Sequence, residues 1–409
     1  MKGKIALLLL LLSIASSCIA ISIAFSPSKP ALKKFSSCEE IKNFLKANEE
    51  IPYFSYIARD IAAPAFKGTP ESIAPSMDYS TTNIQAAGVD EADFVKNDGK
   101  YIYAISGSKV FIVDAYPAEQ AKVLAEIEFE CTPLEIFLNK DRLVVFEAEQ
   151  SYYPLREGIA IAPRYYSTLK TFIKIYDISD KENPKLIRNL SIEGSYYDSR
   201  MIGDYVYAVI NKNVYDSRGE ISIPKVISEE ANAICRCSDV YYFDVPDSSY
   251  FFSTIVAINT QNEEKPESKI FLMGYSQEMY VSRDNIYIAY QKRLSSTYYY
   301  KKLIEEVLIP AAPSELVSKI NEISSSNITM YTKIQEMEKI FHSYMQRLSQ
   351  AERTNLEQKL EEKIGKLQEE IEMEMQKTAI HKISIDGSKI EHQAQGEVPG
   401  VVLNQFSMD

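Results

Sequence analysis

The stretch Ser80–Pro117, STTNIQAAGVDEADFVKNDGKYIYAISGSKVFIVDAYP, decides the fold class of this chain. Tyr101–Ile105 has the period-2 pattern of a β-strand, and Val110–Val113 follows a Gly-Ser turn as the returning strand. Asn97–Lys100 supplies residues that tolerate positive φ, so a preceding strand reverses there and pairs with the next one. The stretch therefore predicts a β-meander, the building unit of a propeller blade.

The same local pattern recurs along the chain. An Asp-containing tight turn precedes an aromatic or aliphatic strand at Asp98–Tyr103, Asp141–Val145, Asp204–Tyr207 and Asp284–Tyr287. Degenerate repeats separated by roughly 40 to 80 residues are typical of four-stranded blades with variable loops. The expected fold class is mainly β, a partial or open β-propeller of four-stranded antiparallel blades.

Three blocks resemble the archaeal secreted or membrane-anchored β-propeller proteins, a family distantly related to WD40 repeats: residues 81–117, Cys235–Thr260 and Ile380–Asp409. The resemblance covers most of the chain after Lys33 and implies a fold and a compartment but no reaction. In that family the last block leads into further blades, so the resemblance implies a C-terminally truncated chain. About three or four blades are then expected, too few to close a ring. The chain would therefore either need a second chain that supplies the missing blades or be marginally folded alone.

The composition is that of a globular protein that does not bind nucleic acid. The 409 residues are 45% hydrophobic and 25% charged, and the net charge is −12. Neutralising phosphates requires a basic surface, so an acidic chain is not expected to bind nucleic acid. The chain contains 28 Tyr and no Trp. Its sequence therefore differs from typical WD40 repeats, which carry a Trp-Asp pair.

Residues 1–25 form either a signal peptide or an uncleaved membrane anchor. Lys2 and Lys4 precede an apolar run of about 20 residues, long enough for one helix across a bilayer. Small residues at Ala15–Cys18 offer a site for signal peptidase, although apolar residues continue after them. Both interpretations place the body of the protein outside the cell, anchored to the outer face of the membrane or secreted.

The rest of the chain divides by pattern. Residues 26–79 read as a linker with one amphipathic helix, which begins near Ser36–Ser37. Blades occupy 80–300, a helical insertion occupies 301–378, and further propeller strands occupy 379–409. Apolar residues spaced by three and four predict three amphipathic helical runs in the insertion, the first capped by Ser314, the second over Ile334–Leu348 and the third over Leu356–Met375. Packed antiparallel, these runs are expected to form an inserted helical hairpin. This hairpin either buries its own apolar stripe or serves as an arm that docks a partner.

The acidic run Asp90, Glu91 and Asp93, with Asp98 nearby, is the candidate site with the most charge. Carboxylate oxygens are ligands of Ca²⁺, but the run lacks the twelve-residue spacing of an EF-hand loop. Capping of turns is the simpler role for these residues. The run therefore predicts no metal site.

No catalytic or cofactor-binding residue is predicted either. The three histidines, His342, His381 and His392, have no Cys or acidic partners at ligand spacing. The chain has no nucleophile elbow, no glycine-rich phosphate loop and no zinc-protease motif.

Outside the first 25 residues the cysteines are Cys38, Cys131, Cys235 and Cys237. Four cysteines allow three pairings into two disulfides in an exported chain, and reduced thiols are the alternative. Cys235 and Cys237 are too close in sequence to bond each other without strain. A bond from either one to Cys38 or Cys131 would join an early part of the chain to a later blade.

The functional hypothesis is an exported, membrane-tethered β-propeller that acts as a binding or scaffold module of the cell envelope. Its partner would be another envelope protein or a glycan, with no cofactor. The alternatives are an extracellular hydrolase that uses Asp90, Glu91 and Asp93 in a pocket, and a non-functional truncated remnant.

Overall fold

The computed structural model describes residues 32–48, 86–154, 165–216, 219–228, 231–233, 236–243, 246–276, 278–404 and 407. The predicted membrane segment, most of the predicted linker and Cys235 lie outside the described residues. Among the helices that the structure describes, none is both long and apolar enough to cross a membrane.

The strands form four sheets, and each sheet contains four consecutive antiparallel strands that make one blade. The strands of blade 1 are β3 (Val95–Asn97), β4 (Tyr101–Ser106), β5 (Lys109–Asp114) and β6 (Lys122–Glu128). Those of blade 2 are β7 (Thr132–Asn139), β8 (Arg142–Pro154), β9 (Tyr165–Asp177) and β10 (Lys185–Glu193). Those of blade 3 are β11 (Ser195–Ile202), β12 (Tyr205–Asn213), β16 (Tyr250–Asn259) and β17 (Glu267–Gly274). Those of blade 4 are β18 (Glu278–Val281), β19 (Asn285–Gln291), β20 (Lys377–Asp386) and β21 (Lys389–Pro399). The fold class predicted from the sequence, an open propeller of four-stranded blades, is confirmed.

Short strands extend two of the sheets. Blade 2 gains β13 (Val226–Ser228) and β14 (Ala231–Ala233) beyond β10. Blade 3 gains β2 (Asp90–Glu91) beside β11 and, at its other edge, β15 (Val240–Tyr242) and β1 (Lys33–Lys34). The β15–β17 pair is parallel, so segments distant in sequence complete the edges of blade 3.

The predicted turn before β4 shows why the repeated Asp pattern specifies a strand reversal. Asp98 Oδ1 accepts hydrogen bonds from the backbone N–H groups of Lys100 and Tyr101, at 3.1 and 2.8 Å. Gly99 has φ of +93°, a conformation that glycine adopts without steric cost. Hydrogen bonds between neighbouring residues therefore specify this reversal.

Successive blades pack face to face through apolar clusters. Tyr103 and Ile112 of blade 1 pack with Leu143 and Val145 of blade 2. The other face of blade 2 packs on blade 3 through the side chains of Phe137, Val144, Phe146, Ile173, Ile175, Val206, Ala208 and Ile258. The other face of blade 3 packs on blade 4 through those of Val209, Ile255, Phe271, Ile286, Ile288 and Ile383. The four described blades are thus held together by three apolar interfaces.

A helical insertion separates β19 from β20, inside blade 4. Its helices are α2 (Ser296–Lys302), a π-helix (Leu303–Leu308), α3 (Ile309–Ala311), α4 (Ser314–Ser325), α5 (Met330–Met345) and α6 (Gln350–Met375). The three helical runs predicted from the sequence correspond to α4, α5 and α6, while α2, the π-helix and α3 precede them, and the insertion buries a core of Ile304, Leu316, Ile320 and Met337. The two ends of the insertion meet, since the backbone N–H of Lys292 donates to the carbonyl of Lys377 at 3.0 Å.

The N-terminal helix α1 (Cys38–Lys46) begins as the sequence predicted. Ser37 accepts a hydrogen bond from the Glu40 N–H as its N-cap, and the buried side chains of Ile41 and Leu45 pack beside blade 3. A disulfide joins Cys38 to Cys237, with the two Cα atoms 5.1 Å apart. This is one of the pairings that the sequence allowed, and it connects α1 to residues 199 positions later. Cys131 has a free thiol.

We expect the Cys237→Ser variant to lose about 2–5 kcal/mol of unfolding free energy, because the disulfide restricts the unfolded chain. Urea denaturation of the oxidised proteins measures the loss. Cys131→Ser is the matched control and should stay close to the parent. Equal midpoints for the parent and Cys237→Ser would contradict the stabilising role of this bond.

Candidate functional site at the first-strand edges

The segment Ala86–Asp93, here called the crossing segment, contacts all four blades before the chain enters β3. The Arg283 guanidinium of blade 4 donates from Nε to the carbonyl of Ala87 at 3.0 Å. Strand β2 pairs with β11, the first strand of blade 3. Asp93 then exchanges backbone hydrogen bonds of 3.2 and 2.8 Å with Ile136 in the first strand of blade 2. The crossing segment therefore ties the first-strand edges together.

Five charged side chains meet where the crossing segment lies on these strands, and we call them the first-strand cluster. The Lys96 ammonium lies 2.8 Å from Asp90 Oδ1 and donates to the carbonyl of Glu91 at 2.5 Å. The Arg200 guanidinium lies 2.6 Å from Asp198 Oδ1 and 3.6 Å from Glu91 Oε1. The side chains of Lys96 and Arg200 are only 8% and 4% exposed, so both cations depend on these carboxylates for their charge balance.

A hydroxyl network continues the cluster toward blade 2. The Tyr196 hydroxyl donates to Glu135 Oε2 at 2.6 Å and lies 2.7 Å from Ser199 Oγ. Burial raises the pKa of Asp198, with the Arg200 guanidinium acting against that rise. Burial, followed by the nearby Asp198 carboxylate, also raises the pKa of Glu278. These shifts mark a poorly solvated polar region between the blades.

The residues of the acidic run make structural contacts of two kinds, ion pairs and a backbone hydrogen bond. Asp90 and Glu91 face cations, and Asp93 Oδ1 accepts from the backbone N–H of Phe94 at 2.6 Å. Within the described part of the chain, no group of three or more His, Cys, Asp or Glu side chains is arranged to hold a metal. Lys96 and Arg200, which hold these carboxylates, were not singled out from the sequence. Alternation with apolar neighbours would place such residues on the polar face of a strand, so the sequence carried no signal that they are buried.

The three histidines lie in two separate places. His342 belongs to α5 and hydrogen-bonds Gln346 at 2.9 Å. His381 and His392 come together between blades 3 and 4, with ring centroids 5.6 Å apart and the ring of Phe243 against both. His381 Nε2 lies 3.1 Å from the Tyr290 hydroxyl, and its Nδ1 is buried without a hydrogen-bond partner.

The environment of this histidine pair keeps it neutral. Burial lowers the pKa of His381 to about 3, with a smaller contribution from His392. Burial also lowers the pKa of His392 to about 4. The sequence placed both residues on adjacent predicted strands, but it did not show that Phe243 closes over them.

The helical insertion holds an open cleft of about 650 Å³. Apolar side chains from the π-helix, α5 and α6 line it, including Leu308, Ile334, Met337, Phe341 and Leu360. None of its lining residues belongs to the acidic run or to the first-strand cluster. The cleft has the volume and apolar lining typical of binding sites for organic ligands or side chains.

Replacing Arg200 by Met should destabilise the fold by about 3–5 kcal/mol, because the buried Asp198 carboxylate loses its counter-charge. Urea denaturation at pH 7 measures this, and adding Asp198→Asn should recover part of the loss. Arg347→Met is the control, since Arg347 pairs with Glu315 at the surface and should change stability by less than about 1 kcal/mol. If Arg200→Met also lowered the free energy of unfolding by less than about 1 kcal/mol, the first-strand cluster would contribute little to stability.

Acid should weaken the interface between blades 3 and 4. The folded pKa values of His381 and His392 lie below the usual 6.5, so the unfolded chain binds more protons below pH 6.5. Each histidine therefore costs up to about 1.4 kcal/mol of stability per pH unit between pH 6.5 and its folded pKa. The cost is smaller for the half-buried His392.

The measurement is the urea midpoint at pH 7 and pH 5. The titratable group beside the pair is Tyr290, whose pKa burial raises, so it stays neutral over this range. His392→Phe should reduce the pH dependence, and His342→Phe in the helical insertion should leave it unchanged. The same slope in the parent and His392→Phe would rule out a contribution from His392.

Comparison with known proteins assigns the fold family. An uncharacterized protein of Methanocaldococcus jannaschii is 28% identical over 421 residues, which cover 98% of this chain and 61% of that protein. An uncharacterized protein of Archaeoglobus fulgidus is 24% identical over 443 residues, which cover 98% of this chain and 65% of that protein. The chain thus spans less than two thirds of the length of either relative. Because the family model for the β-propeller domain matches residues 79–409, this chain belongs to the β-propeller domain family.

Proposed function

We propose that this chain is a binding module of the cell envelope. In this proposal blades 1 to 4, here called the arc, carry the helical insertion, and the insertion docks another protein. Residues 1–25 would hold the arc at the outer face of the membrane, on the basis of their apolar sequence. The observation that carries the proposal is the open apolar cleft in the insertion.

The cleft suits the apolar face of a partner helix. Ile334, Met337, Phe341 and Met345 of α5 line it, and their spacing of three, four and four residues makes a continuous stripe along the helix. An amphipathic helix laid into such a groove is a common mode of protein recognition. The insertion has its own buried core, so it can present this groove independently of the blades.

The contacts of the acidic run indicate a structural role for these residues rather than a catalytic one. A glycosidase requires two carboxyl groups that face each other across the substrate. Asp90 and Glu91 are instead paired with the cations Lys96 and Arg200. The hydrolase alternative, built on Asp90, Glu91 and Asp93, therefore gains no support from their geometry.

The test is removal of the insertion. Residues 293–376 can be replaced by an Asn-Gly turn, because Lys292 and Lys377 are already hydrogen-bonded neighbours. We expect membranes solubilised from the host to yield a specific partner with the full chain and none with the deletion variant. Unchanged partners would overturn the role of the insertion.

A point variant separates the cleft from the rest of the insertion. Ile334→Lys puts a charge into the cleft and should weaken capture of that partner at least about tenfold, the equivalent of about 1.4 kcal/mol. Met373→Lys is the matched control, because Met373 is 60% exposed on α6 and does not line the cleft. Equal capture by both variants would place the binding surface elsewhere.

A further inference from the structure

Blade 1 has two apolar faces, and the described chain covers only one of them. Strand register places Ile102, Val113 and Val123 in one cross-strand row, and Val95, Ala104 and Phe111 in the next. Side chains in register on neighbouring strands point to the same side of a sheet. These two rows form the outer face of blade 1, opposite the face that packs on blade 2.

Exposure separates the two faces clearly. On the face toward blade 2, Tyr103, Val110 and Ile112 are 0% exposed. On the outer face, Val95, Ile102 and Val123 are 48%, 36% and 53% exposed. Apolar rows of this kind are expected where a sheet packs against another layer.

Blade 4 ends the arc in a different way. Tyr280, Tyr287, Lys382 and Ala394 form a cross-strand row on its outer face. The two tyrosine rings have centroids 5.8 Å apart, and the Lys382 ammonium lies 6.0 Å from the ring of Tyr287. The arc therefore has two unlike end faces, one aliphatic and one aromatic.

We propose that the outer face of blade 1 is a docking site for a further propeller blade, supplied by a polypeptide that continues the arc. Two observations favour this occupant. The three interfaces between the described blades are all formed by one sheet face on another. The two relatives also contain roughly a third or more of their length outside the match to this chain. Propellers close with about four to eight blades, so that length can accommodate the rest of a ring.

The experiment is a chimera. The segment of the Methanocaldococcus jannaschii relative that lies outside the match is fused to this chain at the terminus that corresponds to its position in the relative. We expect the chimera to melt at a higher temperature than this chain. Ile102→Lys should lower the Tm of the chimera by about 5 °C or more, because it buries a charge between blades. In this chain alone the same variant should shift the Tm by only about 1–2 °C, since Ile102 is exposed.

Tyr116→Lys is the matched control. Tyr116 is 72% exposed and belongs to neither row, so its substitution should be neutral in both proteins. An unchanged Tm in the chimera, or the same effect of Ile102→Lys in both proteins, would overturn the proposal.

A second measurement does not depend on the Tm. In a background in which Cys18, Cys131 and Cys235 are replaced by Ser, Ile102→Cys should react with a thiol reagent quickly in this chain and at least about tenfold more slowly in the chimera. Equal rates would overturn the proposal. Sedimentation of this chain alone should show a monomer, and a dimer that Ile102→Lys dissociates would assign the face to a second copy instead.

Discussion

The fold depends on one constraint: a β-sheet with two apolar faces has to be covered on both. Blades 2 and 3 meet this requirement, because each packs between two neighbours through rows of buried aliphatic and aromatic side chains. Within the residues that the structure describes, blades 1 and 4 are packed against another blade on one face only. This arrangement makes the middle of the arc its most deeply buried part.

The polar chemistry of the molecule follows from the same constraint. When sheet faces are occupied by apolar packing, charged residues collect at the edges of the blades. At the first-strand edges, Lys96 and Arg200 are buried and balanced by Asp90, Glu91 and Asp198. Such pairs are costly to break because each leaves an uncompensated buried charge. The acidic run that suggested calcium or hydrolysis from the sequence therefore holds the crossing segment in place.

The helical insertion avoids disturbing blade 4 because its ends meet. The hydrogen bond between Lys292 and Lys377 continues the β19–β20 ladder to the base of the insertion. Lys292 is also held by Glu374 and Glu397, at 2.9 and 2.8 Å, which fixes the last helix to the blade. A module with its own core and a closed base can carry a binding function while the propeller supplies a rigid support.

The sequence by itself determined the features that depend on neighbouring residues. The Asp98 turn, the Ser37 cap and the alternation of the blade strands are set by local hydrogen bonding and side-chain period, and all were predicted. The three helical runs of the insertion that begin at Ser314 were predicted for the same reason, whereas α2, the π-helix and α3 were not, because short helices depend on packing more than on their own pattern.

Only the tertiary structure decided which distant residues meet. It selected Cys237 as the partner of Cys38, brought His381 and His392 under Phe243, and placed Arg200 beside Glu91. It also showed that Ile102 and Val123 share a face that the described part of the chain leaves exposed. These contacts join residues far apart in the chain, and such pairings depend on the register and order of whole sheets, which local propensity does not specify.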